Sequence, residues 1–284
     1  MLCPQSPIAA CCHCLLAACA ALAFAYKHIG TRQTMGWEWR CFVPGPSDLQ
    51  LPDALSRGPA EERTDEYLLL RSPAVGIKIR GGGGGGVEVK TRTDVKTRMA
   101  EKWTKVVQAC GDDVEVAAVA AAEGYGLWMQ PEPEVVAPGA VELSASEQAQ
   151  ALWVSVSKQR HQAYTETWPV RLVVEQTDLR LQLREGAAKG AVPIGAPLFY
   201  RSFAVEQGRA AELYAGVSHW LGLSFEDTGA EKSQWLGEVV SKLGGAGVVV
   251  GGFPTLLHSL DGTFRAMKEQ RRPDPEFELG VAPQ

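Results

Sequence analysis

Charged residues recur two apart on segments that read as β-strands: Glu38-x-Arg40, Lys78-x-Arg80, Glu88-x-Lys90-x-Arg92 and Lys158-x-Arg160. Side chains alternate across a strand, so residues i and i+2 share a face. Each segment therefore gathers its charges on one side. Apolar partners such as Ile77 and Ile79, or Val87 and Val89, take the other. One such pair on its own reads as the solvated face of an amphipathic sheet. Long cations on edge strands also guard against aggregation. Four segments that mix Glu with Lys and Arg suggest more: closed into a barrel, they would enclose a basic interior with interspersed carboxylates. That chemistry suits a polyanion together with a divalent cation.

The elements that must position these residues are mostly strands. Residues 37–43 (WEWRCFV) alternate aromatic and β-branched residues with charge, and residues 64–70 read as a second strand. Residues 75–80 and 87–92 flank Gly81–Gly86 and read as an antiparallel hairpin. The glycine run lacks the G-x-x-x-x-G-K-[ST] pattern and no helix start follows it, so it reads as a flexible loop. Met99, Trp103, Val106, Val107 and Cys110 form one stripe at helical spacing, which predicts an amphipathic helix over 99–110. Residues 111–148, rich in Ala, Glu, Pro and Gly, read as a connection between two halves. Strands follow over 151–160, 170–178 and 199–206, then helices over 209–223 and 232–243, the second stopped by Gly244-Gly245. Strands, helix, linker, strands, helices make an α+β protein, and no dinucleotide fingerprint is present.

The 284 residues are 45% hydrophobic and 21% charged, enough for an ample core. A net charge of −5 argues against bulk nucleic-acid binding, which needs a basic surface, but leaves a local anion pocket open. Five of seven cysteines fall in the first 19 residues, and no framework of paired bridges is readable. That favours a reducing, cytoplasmic or organellar compartment. Cys11-Cys12-His13-Cys14 is too crowded, and without a second ligand pair, for a zinc site. Residues 8–26 lack Lys, Arg, Asp and Glu and have the length of a membrane span. A membrane anchor, a secretory h-region, an organelle-targeting leader over 1–34 and translation from Met35 all remain open. A domain over 35–265 follows, with no membrane role for it, then a loose tail over 266–284.

Other candidate chemistry is thin. His161 reads as an exposed strand-end residue, and His219 and His258 have no obvious partners. Ser202 and Ser218 lack a nucleophile elbow. Trp153, Trp168, Trp220 and Trp235 are not interleaved with a basic stripe and read as core.

The charged strands, taken in order, resemble the CYTH, or triphosphate tunnel metalloenzyme, superfamily. The likeness runs through Trp37-Glu38-Trp39-Arg40, Arg63-Thr64-Asp65-Glu66-Tyr67-Leu68, Gly76-Ile77-Lys78-Ile79-Arg80 and Val87-Glu88-Val89-Lys90-Thr91-Arg92. It continues with Lys158-Gln159-Arg160, Val174-Glu175 and Arg201-Ser202-Phe203-Ala204-Val205-Glu206, so it spans about residues 37–206. The resemblance implies an antiparallel β-barrel, a tunnel with a charged interior and helices packed outside. It implies that Arg40, Lys78, Arg80, Lys90, Arg92, Lys158, Arg160 and Arg201 grip phosphoryl oxygens of an inorganic or organic triphosphate. It further implies that Glu38, Glu88 and Glu206 hold Mg²⁺ or Mn²⁺, with Glu38, Glu88 and Lys158 assisting an attacking water or the leaving group. A metal-dependent phosphohydrolase is then expected, or alternatively a binding module for a phosphate, polyphosphate or nucleotide without catalysis. One departure bears on that choice. The family's opening E-x-E-x-K stands here as Gly36-x-Glu38-x-Arg40, with one carboxylate gone and Arg in place of Lys.

Overall fold

The computed structural model describes residues 29–45, 60–70, 72–81, 86–96, 98–108, 118, 152–165, 168–186, 191–223 and 232–271. Eight strands carry the fold: β1 (Ile29–Pro44), β2 (Glu61–Leu68), β3 (Val75–Arg80), β4 (Val87–Val95), β5 (Glu101–Gln108), β6 (Leu152–Tyr164), β7 (Val173–Glu185) and β8 (Pro193–Gly208). Every pairing is antiparallel, in the order β5-β4-β3-β2-β6-β7-β8-β1, and β5 pairs back onto β1. The sheet is thus a closed eight-stranded barrel, which leaves these strands without a free edge pair to recruit another chain. Helices α1 (Ala210–Leu221) and α2 (Lys232–Lys242) follow. After them come the two-residue strand β9 (Val249–Val250), α3 (Phe253–Ser259) and α4 (Asp261–Gln270). The α+β reading holds. No helix among the described residues is long and apolar enough to cross a membrane. Residues 8–26, the Cys11–Cys14 cluster and almost all of 111–148 lie outside the described residues.

The hairpin expected around the glycine run is present, with Ile77 opposite Val89 and Lys78 opposite Glu88. The expected helix over 99–110 is a correction: Glu101–Gln108 of this segment is the strand β5. Within it Trp103, Thr104, Val106 and Val107 are aromatic or β-branched, which favours a pleated surface. Both β4 and β1 also offer it an unpaired backbone edge, and β5 hydrogen-bonds to both. Met99, at φ +63°, makes the turn that reverses the chain from β4 into β5. β1 begins at Ile29, ahead of Met35, and its first half pairs with β5 while its second half pairs with β8. α4 runs to Gln270, into the stretch read as a loose tail.

Strand alternation sorts the side chains into two cores. On the outer face of β1, Trp39, Cys41 and Val43 pack with Phe203 and Val205 of β8 beneath Leu213 and Val217 of α1 and Trp235 and Val239 of α2. On the inner face, each strand changes character along its length. β7 runs Glu175, Thr177, Leu179, Leu181, Leu183, and β6 runs Arg160, Lys158, Val156, Val154. The apolar end of that inner face packs against Leu256, Leu257, Leu260 and Phe264 of α3 and α4. The barrel therefore has a polar half, and an apolar half stopped by helices.

Candidate functional site

The polar half encloses a cavity of about 170 Å³. That is roughly ten times the ~10–15 Å³ one water needs, so it has room for a small polyatomic ligand. Seven cations line it, Arg40, Arg63, Lys78, Arg80, Lys90, Lys158 and Arg160, against four carboxylates, Glu38, Glu88, Glu175 and Glu206. β2 supplies Arg63, β3 supplies Lys78 and Arg80, β4 supplies Glu88 and Lys90, and β6 supplies Lys158 and Arg160; β1, β7 and β8 bring the rest. Alternation puts all of them on the inner face. At the floor, the Phe253 ring from α3 stacks on Tyr67 with centroids 5.4 Å apart. The same ring lies 4.1 Å from Lys158 Nζ and 5.3 Å from the Arg40 guanidinium carbon.

Two charge clusters organise the wall. In the first, Asp65, fully buried, accepts a hydrogen bond from Lys158 Nζ at 2.7 Å and faces Lys78 Nζ at 3.4 Å and Arg63 Nε at 3.2 Å. Burial opposes the Asp65 charge, but Lys158 and Lys78 outweigh it and hold the carboxyl at about 2. Glu88 is held at about 2 against the same burial, with Lys78 as the largest opposing influence and Lys105 Nζ at 2.8 Å. The lysines pay the opposite penalty: burial lowers Lys78 to about 8, and burial plus the Lys78 charge pushes Lys158 well below its ordinary value.

The second cluster is built on Arg40. Its Nε donates to Glu38 at 2.6 Å, Nη1 donates to Glu175 at 2.9 Å and to Ser202 Oγ at 2.9 Å, and Nη2 donates to Glu206 at 3.1 Å. Glu175 is engaged on its other oxygen too, by Arg160 Nε at 2.7 Å. Burial and the neighbouring Glu38 raise Glu206 to about 7 in spite of Arg40. Glu38 itself stays below its ordinary value, because Arg40 and Lys90 overcome the cost of burial.

Most of the residues expected at the site are therefore gathered in one cavity: Glu38, Arg40, Lys78, Arg80, Glu88, Lys90, Lys158, Arg160 and Glu206. Two expected anion contacts are placed elsewhere. Arg92 Nη1 holds Glu101 at 2.7 Å, and the other Glu101 oxygen accepts the Gly252 N–H that leads into α3. Arg201 neighbours the inward Ser202 and so takes the outer face, where its Nε meets Asp178 at 2.6 Å. Arg63, Asp65, Tyr67, Glu175 and Phe253 carry no assigned role in the sequence reading. The alternation Arg63-x-Asp65-x-Tyr67 was the available signal for three of them; nothing in the sequence marks Phe253.

The carboxylates expected to share a metal do not share a centre. Glu38 and Glu206 meet on Arg40, whereas Glu88 meets Lys78, Arg80 and Lys105. Among the described residues, no three His, Cys, Asp or Glu side chains are arranged to hold a metal ion. As arranged among the described residues, Glu38, Glu88 and Glu206 thus do not fit the shared Mg²⁺ or Mn²⁺ site that the resemblance implies. A closed antiparallel barrel with a cationic bore defines the class of fold and site. Compared with known proteins, the chain matches no family model and no curated protein.

Proposed function

We propose that the barrel is a binding site for a small polyanion bearing phosphoryl groups, a linear inorganic triphosphate or an organic triphosphate. The observation that carries this reading is the excess of lining cations over carboxylates, together with a cation left over. Lys90 lines the cavity with no hydrogen bond or ion pair to any described residue. Arg80 and Arg160 add capacity. Their Nε atoms lie 2.9 and 2.7 Å from Glu88 and Glu175 but are outside hydrogen-bond geometry. Like charges gathered in a partly dry cavity repel one another, and an anion with several oxygens relieves that repulsion through charge-assisted hydrogen bonds. Guanidinium forks and lysine ammonium groups are the donors such oxygens take.

Hydrolysis would need a water activated inside the cavity, and the carboxylates suited to that work are already bound to Arg40, Lys78, Arg80 or Lys105. Binding is accordingly the function the geometry supports best. The test is thermal unfolding of the full chain with orthophosphate, pyrophosphate, tripolyphosphate or a nucleoside triphosphate. Phosphate release is followed in parallel, with Mg²⁺, Mn²⁺ or chelator. At a hundred times its dissociation constant, a ligand stabilises by about 2.7 kcal/mol, a rise of roughly 5–10 °C for a domain of this size. We expect that rise for the triphosphates, and in chelator as well as in metal. No rise with any of them refutes the reading, and metal-dependent release of phosphate replaces it with the hydrolase.

A further inference from the structure

Three carboxylates from three strands converge in the cavity wall: Glu38 of β1, Glu175 of β7 and Glu206 of β8. Carboxylate oxygens are the hard ligands Mg²⁺ or Mn²⁺ ordinarily takes, but with Arg40 between them these three are not arranged to hold a metal ion. Here each meets a different nitrogen of one guanidinium, at 2.6, 2.9 and 3.1 Å. Ser202 takes a further N–H, so four of the five donors of Arg40 are spent inside the protein. Arg40 is itself buried, with 6% of its surface exposed, and the three carboxylates hold its charge firmly in spite of that burial.

We infer that Arg40 is a built-in cation that occupies the place of a divalent metal, so that the carboxylate triad becomes a metal site only when the guanidinium is removed. The sequence position supports this. Arg40 lies on the same inner face as Glu38, two residues on, so its side chain is forced into the space between the strands that carry Glu175 and Glu206. A metal ion approaching the triad would have to displace a planar cation that already uses one oxygen of Glu38 and one of Glu206. Glu175 would have to give up both, since Arg160 holds the second. Further cations face the cluster, Arg160 on Glu175 and Lys90, whose field reaches Glu38, while the carboxylate of Glu101, opposite Glu38 on β5, is held by Arg92. The inference concerns the triad alone and does not depend on which anion the cavity takes.

The test uses Mn²⁺ alone. Binding is followed by the loss of the free-ion electron paramagnetic resonance signal, and stability by thermal unfolding in Mn²⁺ and in chelator. The full chain is compared with Arg40→Met, which keeps length and removes charge, with Arg40→Met/Glu206→Gln, and with Glu206→Gln. The expected result is that the wild type shows no Mn²⁺ site sensitive to Glu206→Gln. Arg40→Met is expected to bind Mn²⁺ at least tenfold more tightly than wild type and to melt higher in Mn²⁺ than in chelator. The double variant is expected to lose both effects. Wild-type Mn²⁺ binding that Glu206→Gln abolishes overturns the inference, and so does a folded Arg40→Met that gains no affinity. If Arg40→Met does not fold in chelator, folding on addition of Mn²⁺ supports the inference. Failure to fold in either condition overturns it, because the triad has then not accepted the metal.

Discussion

Asp65 is the anion on which the cationic wall depends, and Asp65→Asn tests that dependence with almost no change in shape. The carboxylate has no exposed surface and meets Lys158, Lys78 and Arg63 within 3.4 Å. Its lowering from 3.8 to about 2 corresponds to a preference of this environment for the charged form. At ~1.36 kcal/mol per unit, that is roughly 2.5 kcal/mol. Breaking a buried pair by removing one partner usually costs more, about 3–5 kcal/mol, because the abandoned charges stay buried. Asn can still accept a hydrogen bond from Lys158, so the lower figure is the better guide. Urea unfolding of wild type and variant at pH 7 and low salt should show a loss of about 2–4 kcal/mol, with the melting temperature down by roughly 5–10 °C. Tripolyphosphate should recover more stability in the variant than it adds to the wild type, since it supplies the missing negative charge. A loss below about 0.5 kcal/mol, the size of a surface substitution, would refute the argument that Asp65 neutralises the wall.

Two further outcomes follow from the same geometry. Lys90→Ala removes a cation that makes no hydrogen bond or ion pair with a described residue and acts on Glu38 and Glu88 through its field alone, so its melting temperature should fall by only a few degrees while tripolyphosphate affinity falls by about tenfold or more. That is the scale of one charge-assisted contact at ~1.5–3 kcal/mol, and calorimetric titration checks it. Acid unfolding should be steep. Asp65, Glu88 and Glu175 sit at about 2 in the fold, against 3.8, 4.5 and 4.5 ordinarily. Over that interval these three groups bind more protons in the unfolded chain, so their contribution to stability is full above about pH 4.5 and is lost as pH falls towards 2. Circular dichroism melts between pH 7 and 2.5 should show this slope, reduced in Asp65→Asn.

The inner face of the barrel was legible because strand alternation is rigid: once Lys78 and Arg80 are placed on one face, Gly76 must join them, and Ile77 and Ile79 must leave. The same rule excludes Arg201: it stands five residues from Glu206 on one strand, an odd spacing, so the two cannot share a face, and Glu206 and Ser202 take the inner one beside Arg40. Arg92 has the right parity but is captured by Glu101, a long-range partner that no local pattern announces. β5 was misread because five apolar residues happened to fit a 3.6-residue period, and only the open edges of β4 and β1 turn that segment into a strand. The apolar stop was invisible for a related reason. Leu256, Leu257, Leu260 and Phe264 make an ordinary amphipathic pattern, whose destination inside the apolar end of the bore depends on closure of the whole sheet. Arg40 itself looked like a ligand contact, and became an internal counter-ion only when strands 135 and 166 residues further on brought their carboxylates to it.

The most direct measurement is a crystal structure of the full chain grown with tripolyphosphate in the presence of chelator. A polyanion held in the bore places phosphoryl density inside the barrel, with oxygens within hydrogen-bond distance of Lys90 and of Arg80 or Arg160, and Arg40 still bound to its three carboxylates. Tripolyphosphate bound only on the outer surface, with the cavity holding water alone, would contradict that placement.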